Sequence, residues 1–281
     1  MFYRFEKITP RITRIWDVSH TAIYLIEGSE SALLVDTGVG AGSLKAAVES
    51  ITTKPVTVVL THGHVDHAMG AGEFDTVYLH SADKELYLDH SQLPVRMGYV
   101  QGAVQQGGDA ELIAKVQPGD YLPVKAVEDF LSLEWGKTFS LGDISVQAIG
   151  APGHTPGSTV LLIPEERILI LGDACNGFTF LFDADCLSVA QYREMLLTLQ
   201  AETAGKYDRC LFSHGMGEGT VDMIANVIAV CDDILAGKVD NMPFRGFNGE
   251  PAFIAKAMDF ARFCRADGGE GNVVYNPEKI H

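Results

Sequence analysis

The stretch VTVVLTHGHVDHAMG (56–70) constrains this chain more than any other. Its first five residues are apolar or β-branched, too few for a stable helix, and read as a buried strand. The chain then places His62, His64, Asp66 and His67 within six positions, directly at the end of that strand. Buried imidazoles and carboxylates must each find partners, so four of them at this spacing are poorly explained by packing. Imidazole nitrogen and carboxylate oxygen suit Zn²⁺, and also Fe or Mn. Gly63 and Gly70 give the backbone freedom to turn neighbouring side chains toward one point. The chain must therefore build a sheet that delivers a strand end to a metal.

The surrounding pattern supplies such a sheet. ITRIWDV (12–18), TAIYLIE (21–27) and SALLVDTG (31–38) read as strands separated by turn residues. Leu44, Ala47, Val48 and Ile51 recur at helical spacing, with Ser43 as N-cap. Strands return at ISVQAIG (144–150), STVLLI (158–163), RILILGD (167–173) and RCLFSHG (209–215). Ser188 and Gln191 form a capping box before Val189, Tyr192, Leu196 and Leu199 on one helix face. Val221, Ile224, Ile228, Cys231 and Leu235 lie on a further helix, and PAFIAKAMDFARFCR (251–265) reads as a last amphipathic one. Between these two sets lies an excursion, about 80–135, of helical or irregular character. LLVDTG (33–38) and LILGDA (169–174) resemble each other, each ending a strand with an acid beside glycine. One domain over 1–281, built from two related halves with a C-terminal helical extension at about 250–281, is expected.

Four ligand-type groups complete one closed metal site or begin two open ones. Two further histidines share their context of strand end plus glycine: His154 in APGHTPGST and His214 in LFSHGMG. Asp173 follows the strand RILIL in LGDA. Seven ligands are too many for one tetrahedral metal, but fit two metals that share a carboxylate and a bridging solvent.

The ordered set HxHxDH, GHTPGS, GD and a late SHG resembles that of the metallo-β-lactamase-fold hydrolase superfamily, over residues from about 12 to 236. That resemblance implies an α/β (α+β) fold, a four-layer αββα sandwich with metals at one edge of two packed sheets. It implies one metal on His62, His64 and His154, and a second on Asp66, His67 and His214, with Asp173 bridging. It gives Asp36, in VDTG, a supporting role. Enzymes of this superfamily that open β-lactam rings lack an acid at the position of Asp173. Flavodiiron members generally carry Glu where this chain has His64, and RNA-processing members add segments for which the excursion is too short. The pattern looks most like glyoxalase II-type thioesterases and lactonases, without a recognisable glutathione-binding set of basic residues.

The expected chemistry is hydrolysis of a small thioester, ester or lactone. Two divalent ions, zinc first with iron or manganese as alternatives, would lower the pKa of water from ~15.7 to about 7 and so supply a bridging hydroxide. Asp66 is the catalytic residue expected to orient it. The other readings are a small phosphodiesterase or nuclease using the same site, and an iron-containing redox or binding protein. Phe178, Phe180 and Phe182 alternate just after Asp173, as core packing or as a wall of the substrate pocket. Cys175 reads as a small packed residue. His20, His80 and His90 read as structural or surface histidines.

Charge and cysteine usage narrow the partners. With 37 acidic against 21 basic side chains the net charge is −16, which disfavours long nucleic acid as a partner. No apolar run approaches the roughly 18 residues needed to span a bilayer, and the start, MFYRFEKITPRITR, has no apolar signal-peptide core. The five cysteines form no CxxC pair. These features lead to an expected cytoplasmic protein with reduced thiols, a small-molecule substrate and no membrane.

Overall fold

The computed structural model describes residues 2–246, 249, 251–262 and 264–281. The chain divides into two compact units, Met1–Ala148 and Ile149–His281.

The first unit is a seven-stranded sheet with helices. Its strands, in sheet order, are β1 (Arg4–Lys7), β2 (Ile12–Trp16), β3 (Ala22–Glu27), β4 (Ala32–Val35), β5 (Val56–Val59), β6 (Val77–Leu79) and β7 (Leu131–Ser132). The strands from β1 to β4 pair antiparallel, while β4 to β7 pair parallel. A parallel pair needs a crossover, and α1 (Leu44–Glu49) provides the one from β4 to β5. Its expected N-cap is present: Ser43 Oγ accepts from the amide of Ala46. After β5 comes the one-turn helix α2 (Val65–Ala68). The excursion holds α3 (Lys84–His90), α4 (Leu93–Gly102), α5 (Ala110–Ile113) and short 3₁₀ turns. The hairpin β8 (Thr138–Ser140) to β9 (Ser145–Gly150) ends this part of the chain. Ile15, Ile23, Leu25, Leu34, Val58 and Leu60 of the sheet region, with Leu44, Val48, Val65 and Tyr87 of the helices, make one apolar core.

The second unit repeats the arrangement. β10 (Thr159–Ile163) pairs antiparallel with β11 (Ile168–Gly172), which pairs parallel with β13 (Arg209–Phe212) through the crossover helix α6 (Val189–Thr203). The α6 capping box is formed as the sequence predicts, with Ser188 accepting from the amide of Gln191 and Gln191 accepting from that of Ser188. β14 (Glu218–Thr220) flanks β13, and α7 (Met223–Leu235) packs Ile224, Val227, Cys231 and Ile234 into the core with Tyr192, Leu196 and Leu199 of α6. A second sheet joins β12 (Thr179–Leu181), β15 (Met242–Arg245), β16 (Pro251–Ile254) and β19 (Val273–Tyr275) in the order β12-β19-β16-β15.

The expected helix over 251–265 is not formed. The described residues there make β16, then β17 (Met258–Asp259) and β18 (Cys264–Arg265), while Phe263 lies outside the described residues. Among the described residues after 250 there is no α-helix, so the C-terminal extension is strand and turn. The reason is local and tertiary together. Ala252 and Ile254 face inward between an exposed Pro251 and a half-buried Phe253, a period of two that β15 and β19 complete by pairing. Asp259 then accepts from the amide of Ala261, an Asx turn that competes with helix. Among the described residues no helix is long and apolar enough to cross a membrane.

Candidate functional site

In each unit a pair of parallel strands delivers ligand-type side chains just past its carboxyl ends. Asp36 follows β4 and His62 follows β5; Asp173 follows β11 and His214 follows β13. Strand ends of this kind are where open α/β sheets present ligand groups.

In the first unit the structure gathers His62, His64, Asp66 and His67. His62 and His67 are fully buried, and Asp66 is nearly so. His62 Nε2 lies 3.1 Å from His64 Nδ1, and the His62 and His67 ring centroids are 4.0 Å apart. His64 is the N-cap of α2 and stacks its ring on His90, 5.0 Å between centroids. His67 Nε2 is 3.4 Å from Asp66 Oδ2.

The hydrogen bonds behind these rings select their tautomers. A carboxylate only accepts, so His67 Nδ1–H donates to Asp36 Oδ2 at 2.9 Å and the ring's lone pair sits on Nε2. Thr61 Oγ1 donates to Asp36 Oδ2 at 2.8 Å, so it accepts from His62 Nδ1–H at 3.0 Å, and again Nε2 carries the lone pair. Asp36 thus lies behind His67 directly and behind His62 through Thr61. Asp83, which the sequence did not single out, accepts from the amide of Gly63 at 2.9 Å and shapes the same turn.

Asp66 has two partners that sequence reasoning missed. Its Oδ2 accepts from Tyr99 at 2.7 Å and from Thr21 at 3.1 Å. Thr21 is 45 positions upstream and Tyr99 lies in the excursion, so no local pattern could have announced either. His90 accepts at Nδ1 from the amide of Val65. His20 stacks on Trp16 with centroids 4.3 Å apart, and His80 stacks on Trp135.

The second unit gathers the other three. Asp173 Oδ2 lies 3.0 Å from His214 Nε2 and 3.9 Å from His154 Nε2. His154 Nδ1–H donates to the carbonyl of Phe180 at 2.8 Å, which puts this lone pair on Nε2 as well. Asn176 Nδ2 reaches Asp173 Oδ1 at 3.5 Å. The loop carrying His154 rests on Tyr192: a Cβ on Gly153 would meet that ring at 2.5 Å, so only glycine fits. Phe178, Phe180 and Phe182 each pack on Phe244 with ring centroids 5.6–6.1 Å apart, in a cluster with Ala252, Ile254 and Val274. Cys175 is wholly buried in the main core of this unit, and burial pushes its thiol well above the usual range.

The donor set fits a metal. All these side chains are of ligand type, nitrogen or oxygen, with no thiolate among them. Three histidines hold Nδ1 in a hydrogen bond to oxygen and present Nε2, the arrangement by which outer partners orient metal-binding imidazoles. Bonds of about 2.0–2.2 Å in a tetrahedron put ligand atoms ~3.3 Å apart. The 3.1 Å of His62–His64, the 3.4 Å of Asp66–His67 and the 3.0 Å of Asp173–His214 sit around that value.

Comparison with known proteins adds the lineage. Over 166 residues, 54% of this chain, the sequence is 31% identical to the acyl-coenzyme A thioesterase MBLAC2 of Bos taurus, of which the match covers 57%. The chain therefore spans little more than half the length of the curated relatives it matches. A metallo-β-lactamase from Pontibacter korlensis superposes with a TM-score of 0.60 at 17% identity, covering 82% of this chain and 99% of that one. A sec-alkylsulfatase from Pseudomonas sp. does so with a TM-score of 0.61 at 17% identity, covering 83% of this chain and 42% of that one. At such identities the likeness concerns the mixed α/β fold alone. The family model of the metallo-β-lactamase superfamily matches residues 16–214, a span that begins at Trp16 in β2 and ends on His214, so the chain belongs to that superfamily.

Proposed function

We propose that this chain is a metal-dependent hydrolase of a small acyl compound, with an acyl thioester as the first candidate and an ester or lactone as the others. The observation that carries the reading is Asp173, whose Oδ2 is flanked by His214 and His154. A carboxylate set between two imidazoles is the ligand type that two metals can share. In this reading His62, His64 and His154 hold one divalent ion, Asp66, His67 and His214 hold the other, and Asp173 serves both. Zinc is the proposed metal, with iron or manganese compatible with the same donors. When bound, the pair supplies Lewis acidity toward the carbonyl and makes water acidic enough to attack near neutral pH.

The chain's own groups do the rest. Asp66 takes the proton released by the attacking water and returns it to the departing thiol or alcohol, while Tyr99 and Thr21 hold its Oδ2 in place. The products are a carboxylic acid and that thiol or alcohol. Asp36 keeps His67 in one tautomer, and the Phe180 carbonyl does the same for His154. The half-buried Phe178 and Phe180 are the proposed apolar wall for the acyl group. The thioesterase activity named for the bovine relative favours a thioester over an ester. The net charge of −16 argues against long nucleic acid as substrate. Five cysteines, an odd number with no CxxC pair, favour a reducing, cytoplasmic setting.

The test is a panel of acyl-thioesters, lactones, aryl esters, phosphodiesters and oligonucleotides on zinc-loaded protein. Thioester hydrolysis abolished by chelator and restored by zinc is expected. Efficient cleavage of phosphodiesters or oligonucleotides with no acyl hydrolysis would overturn the reading.

A further inference from the structure

Helix α4 belongs to the excursion, yet two of its residues, one turn apart, are tied to the first unit's ligand cluster. Arg96 is buried, and its guanidinium donates to three backbone carbonyls: Nε to Val39 at 3.1 Å, Nη2 to Gly40 at 2.8 Å and Nη1 to Leu122 at 2.8 Å. The approach to Gly40 is so close that a Cβ there would lie 2.5 Å from Nη2. Three residues further on, Tyr99 donates its hydroxyl to Asp66 Oδ2 at 2.7 Å.

These bonds belong to a closed circuit. The amide of Val39, whose carbonyl holds Arg96, donates to Asp17 Oδ2 at 3.0 Å. Asp17 Oδ1 accepts from the amide of Thr21 at 3.0 Å, and Thr21 Oγ1 donates to Asp66 Oδ2 at 3.1 Å. Starting from Asp66, the circuit runs through Tyr99, α4, Arg96, Val39, Asp17 and Thr21, and returns to the same oxygen. Two hydroxyl donors on one carboxylate oxygen set the rotation of the group about its Cβ–Cγ bond. Chains of satisfied buried hydrogen bonds of this kind resist deformation.

We propose that Tyr99 is a positioning residue for Asp66: its hydroxyl, held in place by the Arg96 anchor of the same helix, orients the carboxylate toward the second metal. This rests on the reading of Asp66 as a metal ligand and proton carrier. The helix is then a fixed support of Asp66, and shortening the excursion through α4 weakens binding of the second metal.

The test uses the full chain, with zinc alone as the probe. Apo protein is titrated with zinc against a chelating dye for wild type, Tyr99→Phe, Tyr99→Leu and Thr21→Val, and kcat and KM are measured on the best acyl substrate. Loss of a ligand's outer partner costs about 10–100-fold in metal affinity or activity. Tyr99→Phe should therefore bind its first zinc as wild type does and its second at least about tenfold more weakly. Its kcat should fall with KM little changed, and its apo melting temperature should stay closer to wild type than that of Tyr99→Leu because the ring remains. Tyr99→Leu should show the same zinc loss plus a lower melting temperature. A Tyr99→Phe protein with wild-type zinc affinity and kcat overturns the assignment, as does a loss seen only in Tyr99→Leu, which marks packing. A wild type that binds no zinc overturns the metal reading itself. A wild type that binds two zinc ions but cleaves no acyl compound overturns the hydrolase reading alone, and the zinc affinities then decide for or against Tyr99.

Discussion

His67 donates from Nδ1 to Asp36 across 2.9 Å, with both side chains buried, and the same carboxylate accepts from the amide and hydroxyl of Thr61. Asp36 does this from a left-handed backbone, φ 65°, which Asn tolerates and Ala does not. Asp36→Asn should therefore keep the turn but lose an acceptor, weakening zinc binding by about 10–100-fold. It should also destabilise the fold by about 1–3 kcal/mol through a stranded buried donor. Chelator competition and urea melts measure the two effects separately, and Asp36→Ala should be worse in both.

The metal count is the second expectation. Zinc-loaded protein should carry up to two equivalents by elemental analysis, and His67→Ala or His214→Ala should empty mainly the second site. Asp173→Ala should lower the count. A single tight equivalent, unchanged by Asp173→Ala, would rule out a shared carboxylate.

The proposed proton carrier Asp66 and the buried thiol can be separated by mutation. Asp66→Ala should abolish turnover with an unchanged circular dichroism spectrum, whereas Cys175→Ala should retain most activity. Burial raises the Cys175 thiol well above its ordinary range and pushes those of Cys186, Cys210 and Cys231 up to about 12, so thiolate is scarce near neutral pH. Iodoacetamide at pH 8 should accordingly label the native protein only at the exposed Cys264, and all five cysteines after unfolding. Rapid native labelling of Cys175, with loss of activity, would point to a thiol mechanism.

Gly153→Ala tests the support of the His154 loop. The added methyl would overlap Tyr192, which is wholly buried and donates its hydroxyl to the Ala174 carbonyl at 2.6 Å, so that ring has no room to yield. The loop must shift, at a cost of about 1–3 kcal/mol. A lower melting temperature together with weaker zinc retention is expected. Wild-type zinc content would show that the loop absorbs the methyl without moving His154.

Local chemistry was legible wherever a short pattern carried its own reason. The run VTVV became β5, Ser43 caps α1, and the Ser188–Gln191 box opens α6. In these cases residue identity and spacing already satisfy the backbone groups in question. The segment 251–265 was not legible in this way. Its apolar residues suit helical and two-residue periods alike, and β15 and β19, contributed from either side in sequence, supply the hydrogen bonds that make it strand. The aromatic trio after Asp173 shows a related limit: alternation revealed a common face, and only folding supplied Phe244 to cover it.

For the ligand residues the division is sharper. The sequence alone determined which side chains are of metal-ligand type, because HxHxDH, GHTPGS, GD and SHG concentrate nitrogen and oxygen donors at strand ends, where packing has no use for them. Tertiary structure decided what holds those donors in place. Asp36 selects the tautomer of His67, the Phe180 carbonyl that of His154, and Tyr99 and Thr21 set the rotation of Asp66. These partners lie 26 to 45 residues from the groups they orient. A hydrogen bond is specified by position in space, and across such separations only the packed sheet and helices bring donor and acceptor within reach.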